Sequence, residues 1–321
     1  MSGRGADGAR GVPVFSARSV EQAVSPTRAV EAVRDAFVAY ARGEWTMPPK
    51  TYVTNYPAGD FRAMPALGGG YALLKWITSF PRNPLQGLPT VSGVVLLSDA
   101  ADGQLRAVLD AGAVTALRTG AAAVLAAETL ARAGAPSVAV VGAGVNGRAA
   151  ARTFLARGRA VRVWDVNAQR TAAAARELDC EIAASLDDAL AADVVVTVTP
   201  GHEVVVRAGS VRAGQHFSLM GADGPGKAEV EAAALVRARL FCDDWEQASH
   251  GGELAHAVES GAVTRANVTN LGRVLTGEAA GRTSDDEVTM FDSTGLAIQD
   301  LAVAIAAFEQ VDELPLARLE L

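Results

Sequence analysis

Three glycines in one short stretch, Gly142-Ala-Gly144-Val145-Asn146-Gly147, directly follow the apolar run SVAVV and open a run with helical spacing. In that context each glycine has a task. Gly142 permits a tight turn, Gly144 lets a phosphate approach the backbone, and Gly147 lets helix and strand pack closely. The helix N-terminus behind them offers unpaired N–H groups and a positive dipole end to a pair of phosphates. A glycine-rich turn without a ligand is the plain alternative. Asp165 ends the next β-like run, VRVWD, where an acidic side chain can meet a ribose 2′-hydroxyl. A carboxylate there accepts from the hydroxyl and repels a 2′-phosphate, which favours NAD over NADP. An aspartate that caps the following turn is the ordinary alternative. Arg162 and Arg170 lie close enough to soften the exclusion, so NADP stays open.

Two more residues stand out by their surroundings. Lys75 sits inside the apolar run YALLKWI, where a cation needs a reason to point inward. Desolvation beside other cations lowers an ammonium pKa and lets it exchange a proton near neutral pH. Asp223 lies in the glycine-rich GADGPGK, just past the β-like run QHFSLM. That is the carboxyl edge of a sheet, where ligands of open α/β sheets bind. A carboxylate there can activate a water or relieve an amine of its proton. Each has a dull counterpart: a lysine in an apolar run snorkels, and an aspartate between glycines forms a turn.

The elements that must position these residues fall into two textures. After a Gly- and Arg-rich start, residues 1–13, expected to be disordered, Ser25-Pro26 reads as a helix start and Gly43 as its stop. FRAMPAL, YALLKWI, VSGVVLL and LRAVLD then read as strands of an antiparallel region, separated by turn signals. An Ala-rich helix is expected over 113–132. Beyond it strands and helices alternate, which implies parallel pairing with right-handed crossovers. A last apolar-periodic helix is expected over 293–311, with Ser293 and Thr294 at its start. The fold class is α/β: a Rossmann-type doubly wound parallel sheet plus a discontinuous α+β substrate and dimerisation domain. The expected boundaries are 14–126 with 296–321 for the latter and 127–295 for the former.

Composition narrows the function classes. The chain has 321 residues, half of them apolar and a fifth charged, with a net charge of −7, so no basic surface is offered to nucleic acid. Cys180 and Cys242 lie far apart and form no CxxC. His202, His216, His250 and His256 have neither metal nor triad spacing, and residues 284–287, SDDE, read as a solvated acidic turn. No metal is expected. No apolar run approaches a membrane span and no signal peptide is recognised, which makes the cytoplasm the expected location.

Taken in order, MPPKTYV, GDFRAMPAL, YALLKWITSFPRNP, GLPTVSGVVLLSD, TALRTGAAA, VVGAGVNG, LMGADGPGKAEVE, CDDWEQASHGGEL and GRTSDDEVTMFDSTGLAIQD cover most of residues 47–300. This series resembles the ornithine cyclodeaminase/μ-crystallin family, most of all its archaeal-type alanine dehydrogenases. The resemblance implies an NAD-dependent enzyme and a homodimer whose N-terminal sheets pack across the two-fold. It also implies an amino-acid or imine substrate whose carboxylate is held by Arg62, Lys75 and Arg118. Arginine suits a bidentate grip on that planar anion. Arg118 could instead face the cofactor phosphates. Lys227 and Ser293 are implied at the cofactor, and Thr119, Thr199, Pro200, Gly221, Ala222 and Asp223 complete the expected set with the glycine loop and Asp165. Lys75 and Asp223 are the implied catalytic pair; the His250 loop has no assigned role.

Two reactions share such an apparatus. An oxidative deaminase yields an oxo acid and ammonia, whereas a cyclodeaminase lets the substrate's own second amine close a ring. The cyclodeaminases of the family resemble one another in an ELMP-like motif, with glutamate where this chain has Arg62. Arginine there repels an ornithine side-chain ammonium and attracts a carboxylate, which favours a small uncharged amino acid such as alanine. Reduction of cyclic imines or ketimines stays open. A non-catalytic NAD(P)H-binding protein is the alternative of another class, and the pairing of Lys75 with Asp223 counts against it.

Overall fold

Asp110 accepts a hydrogen bond from the Ala113 N–H at 2.7 Å and so starts the long helix Ala111–Leu130. Ser25 does the same for Pro26–Ala41, accepting from the Arg28 N–H at 3.2 Å, and Gly43 follows that helix at φ +74°. The long helix begins two residues earlier than its apolar spacing suggests because Asp110 caps it, and it ends two residues earlier where Ala131 turns to extended backbone. The computed structural model describes residues 11–201, 203–224 and 226–321. His202 and residues 1–10 of the expected disordered start lie outside that set. Val12 and Pro13 were expected to be disordered too, but they belong to a strand.

Alternating apolar and polar residues build the first sheet from β1 (Val12–Phe15), β2 (Thr51–Asn55), β3 (Gly59–Gly68), β4 (Tyr71–Ser79), β5 (Val91–Asp99) and β6 (Leu105–Asp110). β3 to β6 form an antiparallel meander, as expected. Along β4 the period of two puts Leu73, Lys75 and Ile77 on the buried face and leaves Leu74 and Trp76 half exposed on the other. Lys75 lies opposite Met64 of β3 and Val95 of β5.

The second sheet follows in β7 (Val138–Val141), β8 (Val161–Trp164), β9 (Glu181–Ile182), β10 (Val194–Thr197), β11 (His216–Leu219), β12 (Arg239–Cys242), β13 (Val268–Asn270) and β14 (Thr289–Asp292). Its order is β13-β12-β14-β11-β10-β7-β8-β9, and every pairing is parallel. This is the doubly wound Rossmann-type sheet, and the strand order turns back between β7 and β10. β15 (Ala317–Leu319) returns to the first sheet, where it pairs with β1. The first sheet therefore takes strands from both ends of the chain.

The final helix is Ala297–Phe308 and packs on β3 and β4. Ser293 and Thr294 are not its caps: Gly295, at φ +75°, breaks the chain away from β14, and Leu296 holds the cap position. The helix Ala111–Leu130 touches β5 of one sheet and β11 of the other. By length and composition it could cross a membrane, contrary to expectation; most of it is buried inside the fold instead.

Candidate active site

At the end of β7 the glycine loop is closely packed at Gly142 and Gly147 and open at Gly144. A side chain on Gly142, which has φ +111°, would meet the Val198 carbonyl oxygen at 2.7 Å, and one on Gly147 would meet the Gly142 carbonyl oxygen at 1.8 Å. Gly144 has nothing within 4 Å of such a position. No side chain caps the helix Val145–Ala156, so the N–H groups of its first turn, at Val145 and Asn146, are open to a phosphate pair. Asp165, one strand over, accepts from the Ala143 N–H and the Asn167 N–H, both at 2.8 Å. Its turn-capping task is thus present, and the carboxylate is held against the glycine loop. Arg162 is committed to Asp188 at 2.8 Å.

Thr199-Pro200 and Gly221-Ala222 follow β10 and β11 at the same carboxyl edge. One buried carboxylate staples both: Glu229 accepts from the Thr197 hydroxyl at 2.7 Å, the Thr199 N–H at 2.6 Å and the Gly221 N–H at 3.0 Å. A side chain on Gly221 would run into that carboxylate, which accounts for the glycine. Glu253 in turn accepts from the N–H groups of Glu229 and Val230. Burial and the neighbouring Glu229 push its pKa up to about 8. Thr119 is buried on the long helix, and its hydroxyl has no partner among the described residues.

The charged residues gather where β3 and β4 meet the loop after β11, the long helix and the final helix. Lys75 is buried and donates to Asp300 at 2.8 Å; Arg118 Nε lies 3.6 Å from the same Asp300 oxygen. Arg118 stands two turns into its helix rather than near the start. Burial lowers the Lys75 pKa to about 8; Asp300 opposes the shift and Arg118 adds to it. Arg62 is clamped between Asp60 at 2.6 Å and Asp223 at 2.7 Å, and lies over the Tyr52 ring. Lys227 donates to the other Asp223 oxygen. Desolvation works against ionisation of Asp223, but Lys227, Arg62 and Lys50 together hold its pKa well below the ordinary range.

Lys50 donates to the Thr294 carbonyl at 2.6 Å, and burial lowers its pKa to about 8. Ser293 and Thr294 both donate to Asp243, at 3.3 and 3.1 Å, and the Gly295 N–H adds a third bond at 2.9 Å. Burial raises the Asp243 pKa to about 6. Lys50, Tyr52, Asp223, Gln247, His250 and Thr294 line a cavity of about 170 Å³. A larger surface groove, about 480 Å³, lies at the opposite ends of the strands; its Arg237 and Arg239 are committed to backbone carbonyls and Glu287. Among the described residues no cluster of three or more His, Cys, Asp or Glu could hold a metal ion.

The structure thus brings Arg62, Lys75, Arg118, Asp223 and Lys227 into one region at the carboxyl edge that also carries the glycine loop. Sequence reasoning missed Lys50, Asp60, Asp243, Asp300, Glu229 and Glu253. One signal was in the letters. The chain has only three lysines, Lys50, Lys75 and Lys227, and all three stand here. Ammonium groups lose protons more readily than guanidinium groups, so their confinement to one site marks it. The arrangement can secure an anion with several cations and exchange a proton near neutral pH.

A profile of the ornithine cyclodeaminase/mu-crystallin family matches residues 13–314. The alanine dehydrogenase of Archaeoglobus fulgidus is 43% identical over 307 residues, covering 92% of this chain and 94% of that protein. The iminosuccinate reductase of Paracoccus denitrificans is 32% identical over 311 residues, covering 92% and 95%. Among solved structures, an archaeal alanine dehydrogenase dimer with bound NAD matches with a TM-score of 0.91 at 39% identity, covering 97% and 99%.

Proposed function

Because the chain belongs to the ornithine cyclodeaminase/mu-crystallin family, we propose that it is an NAD-dependent dehydrogenase of a small L-amino acid, alanine above all, or the corresponding reductive aminase. One observation carries the reading: buried and half-buried cations meet two carboxylates in one region, Arg62 and Lys227 at Asp223 and Lys75 and Arg118 at Asp300, with Asp223 on the sheet edge that bears an open glycine loop.

The cofactor's phosphates fit the first turn of the helix Val145–Ala156, and Asp165 suits its ribose; Thr199, Pro200, Gly221, Ala222, Lys227 and Ser293 are proposed at its remaining edge. When bound, NAD supplies the acceptor for the hydride that leaves the substrate Cα. Lys75 and Arg118 hold the substrate carboxylate and thereby fix Cα. Lys75 Nζ, its pKa lowered to about 8 by burial, is proposed to exchange a proton with the substrate near neutral pH. Asp223, kept ionised by its cationic neighbours, accepts a hydrogen bond from the substrate amine or from the attacking water and orients it. Arg62, where cyclodeaminases resemble one another in glutamate, leaves no carboxylate at that position for a second substrate ammonium.

The division of labour follows the two sheets, with 14–126 and 296–321 as the substrate and dimerisation unit and 127–295 as the cofactor unit. The open face of the first sheet exposes Val53, Leu74, Trp76 and Val94, an apolar patch suited to a second copy of the chain. A homodimer in the cytoplasm is the form proposed. Sedimentation of wild type and Trp76→Glu tests it: a dimer that the substitution splits supports the patch, and a monomeric wild type removes it.

Purified protein mixed with NAD⁺ and a panel of L-alanine, L-ornithine, L-lysine and, in reverse with NADH, cyclic imines decides the reaction. NADH accumulation with L-alanine supports the dehydrogenase. Proline and ammonia from L-ornithine without NADH accumulation replaces it by the cyclodeaminase, and preferred reduction of cyclic imines by the reductase. Tight NADH binding without turnover leaves a binding protein.

A further inference from the structure

Resting on the reading that Lys75 and Arg118 handle the substrate, we propose that Asp300 is a positioning residue. From the final helix, one of its carboxylate oxygens orients the Lys75 ammonium and the Arg118 guanidinium together. The three residues come from separate elements: β4, the helix Ala111–Leu130 and the helix Ala297–Phe308. Oδ1 of Asp300 lies 2.8 Å from Lys75 Nζ and 3.6 Å from Arg118 Nε, and the carboxylate is 0% exposed. Among the described residues Lys75 makes its one side-chain hydrogen bond here. Its cross-strand neighbours, Met64 and Val95, are buried and apolar, so neither offers an anionic partner.

The same chain segment seats Arg118 a second way. A side chain on Gly295 would come within 2.5 Å of Arg118 Nη1, and Gly295 stands at φ +75°. The guanidinium therefore lies against the turn before the final helix, with Asp300 at its Nε end. Asp300 meets both cations, and Gly295 bounds Arg118 alone.

A buried ion pair is a poor device for stability, since apolar side chains of similar volume often serve as well. Asp300 stands in AIQDLAVAIAAF, a helix whose other buried positions are almost all apolar. Asp300 stands in the first turn, where an acid suits the helix dipole, and from there its side chain reaches both cations. The charged groups facing Lys75 are Asp300 from the final helix, Arg118 from the long helix and Arg62 from β3. Removing the Asp300 charge leaves Lys75 buried among like charges alone, so its ammonium gives up its proton at lower pH.

The test uses the full-length protein carrying Asp300→Asn, labelled with ¹³C at lysine Cε. Only three lysines contribute signals, and Lys75→Arg assigns the one needed. The expected result is a Lys75 titration moved toward acid by one pH unit or more. The same shift is expected in the Lys75 limb of the kcat/KM profile, with the amino-acid KM raised at least tenfold and NADH affinity within twofold of wild type. A folded asparagine variant with an unmoved Lys75 titration and an unchanged KM overturns the proposal. A merely structural role lowers Tm without moving either. If the asparagine variant does not fold, Asp300→Glu keeps the charge and displaces it by one methylene. A KM raised at least threefold is then expected, and an unchanged KM overturns the proposal as well. The lysine signal is read without substrate, so it separates this inference from the reading of the reaction, which fails instead if Lys75→Ala retains turnover.

Discussion

Alanine at Gly144 and alanine at Gly147 separate cofactor binding from folding. At Gly144 the added methyl finds no atom within 4 Å, and φ −73° with ψ −170° suits any L-residue. The fold tolerates the change, and the stiffer unfolded chain can add about 0.4–1 kcal/mol of stability. The methyl nevertheless stands in front of the uncapped helix N-terminus, where a pyrophosphate needs close approach to the backbone. NADH affinity should fall at least ~10-fold, about 1.4 kcal/mol. At Gly147 the same methyl would lie 1.8 Å from the Gly142 carbonyl oxygen, more than an ångström inside any tolerable contact. Helix Val145–Ala156 must then move off β7, at a cost of about 1–3 kcal/mol or more, which lowers Tm by several degrees. Fluorescence titration with NADH and thermal melts of both variants provide the readout. A Gly144→Ala chain that binds NADH as tightly as wild type would falsify the assignment of this loop to the phosphates. One that melts as early as Gly147→Ala would refute the steric reasoning.

Asp165→Ala should weaken NADH by about tenfold and narrow the preference over NADPH, since the carboxylate both accepts from the ribose and repels a phosphate; an unchanged ratio of the two affinities removes Asp165 from the ribose site. Lys75→Ala and Asp223→Ala should keep NADH affinity within a few-fold and lose roughly 10²–10⁴ in kcat; near-normal rates in both would end the catalytic assignment. His216 is fully buried, bonded to Thr289 at 2.9 Å and Ser218 at 3.0 Å, and burial with help from Arg282 lowers its pKa from 6.5 to about 3. The unfolded chain takes up that proton first, so the stability it contributes is complete above about pH 6.5 and is lost as pH falls from there through 3. Between pH 6.5 and 5 the loss is about 2 kcal/mol; urea midpoints of His216→Gln should show a slope flatter by that amount, and an identical slope would contradict the linkage.

The second sheet was legible because its strands are buried on both faces and read as unbroken apolar runs between helical stretches. VAVV and VVVT, with the glycine loop behind the first, leave little choice. What escaped were β1, β2, β9, β13, β14 and β15, short strands that do not sit in an unbroken apolar run followed by a helical stretch. The final helix was expected from Ser293 but starts at Ala297, because Gly295 at φ +75° breaks the chain between FDST and LAIQD. Cap residues failed for the same reason: the Ser293 and Thr294 hydroxyls belong to Asp243, some fifty positions earlier in the chain, and no local rule connects them.

The site was half legible, and the missing half follows from a physical rule that the sequence does supply. A cation within an apolar strand cannot stay charged in the core without an anion nearby. Lys75 therefore demands a buried acid, and that acid must itself look misplaced, surrounded by apolar residues on its own element. Few carboxylates in this chain meet that description; Asp300, inside AIQDLAVAIAAF, does. Each residue alone invites the bland reading, a snorkelling lysine or a helix-start aspartate. Side by side, each removes the other's anomaly, at 2.8 Å and with neither side chain more than 1% exposed. Two misplaced charges of opposite sign, 225 residues apart, predict a contact between the final helix and β4 that no periodicity contains.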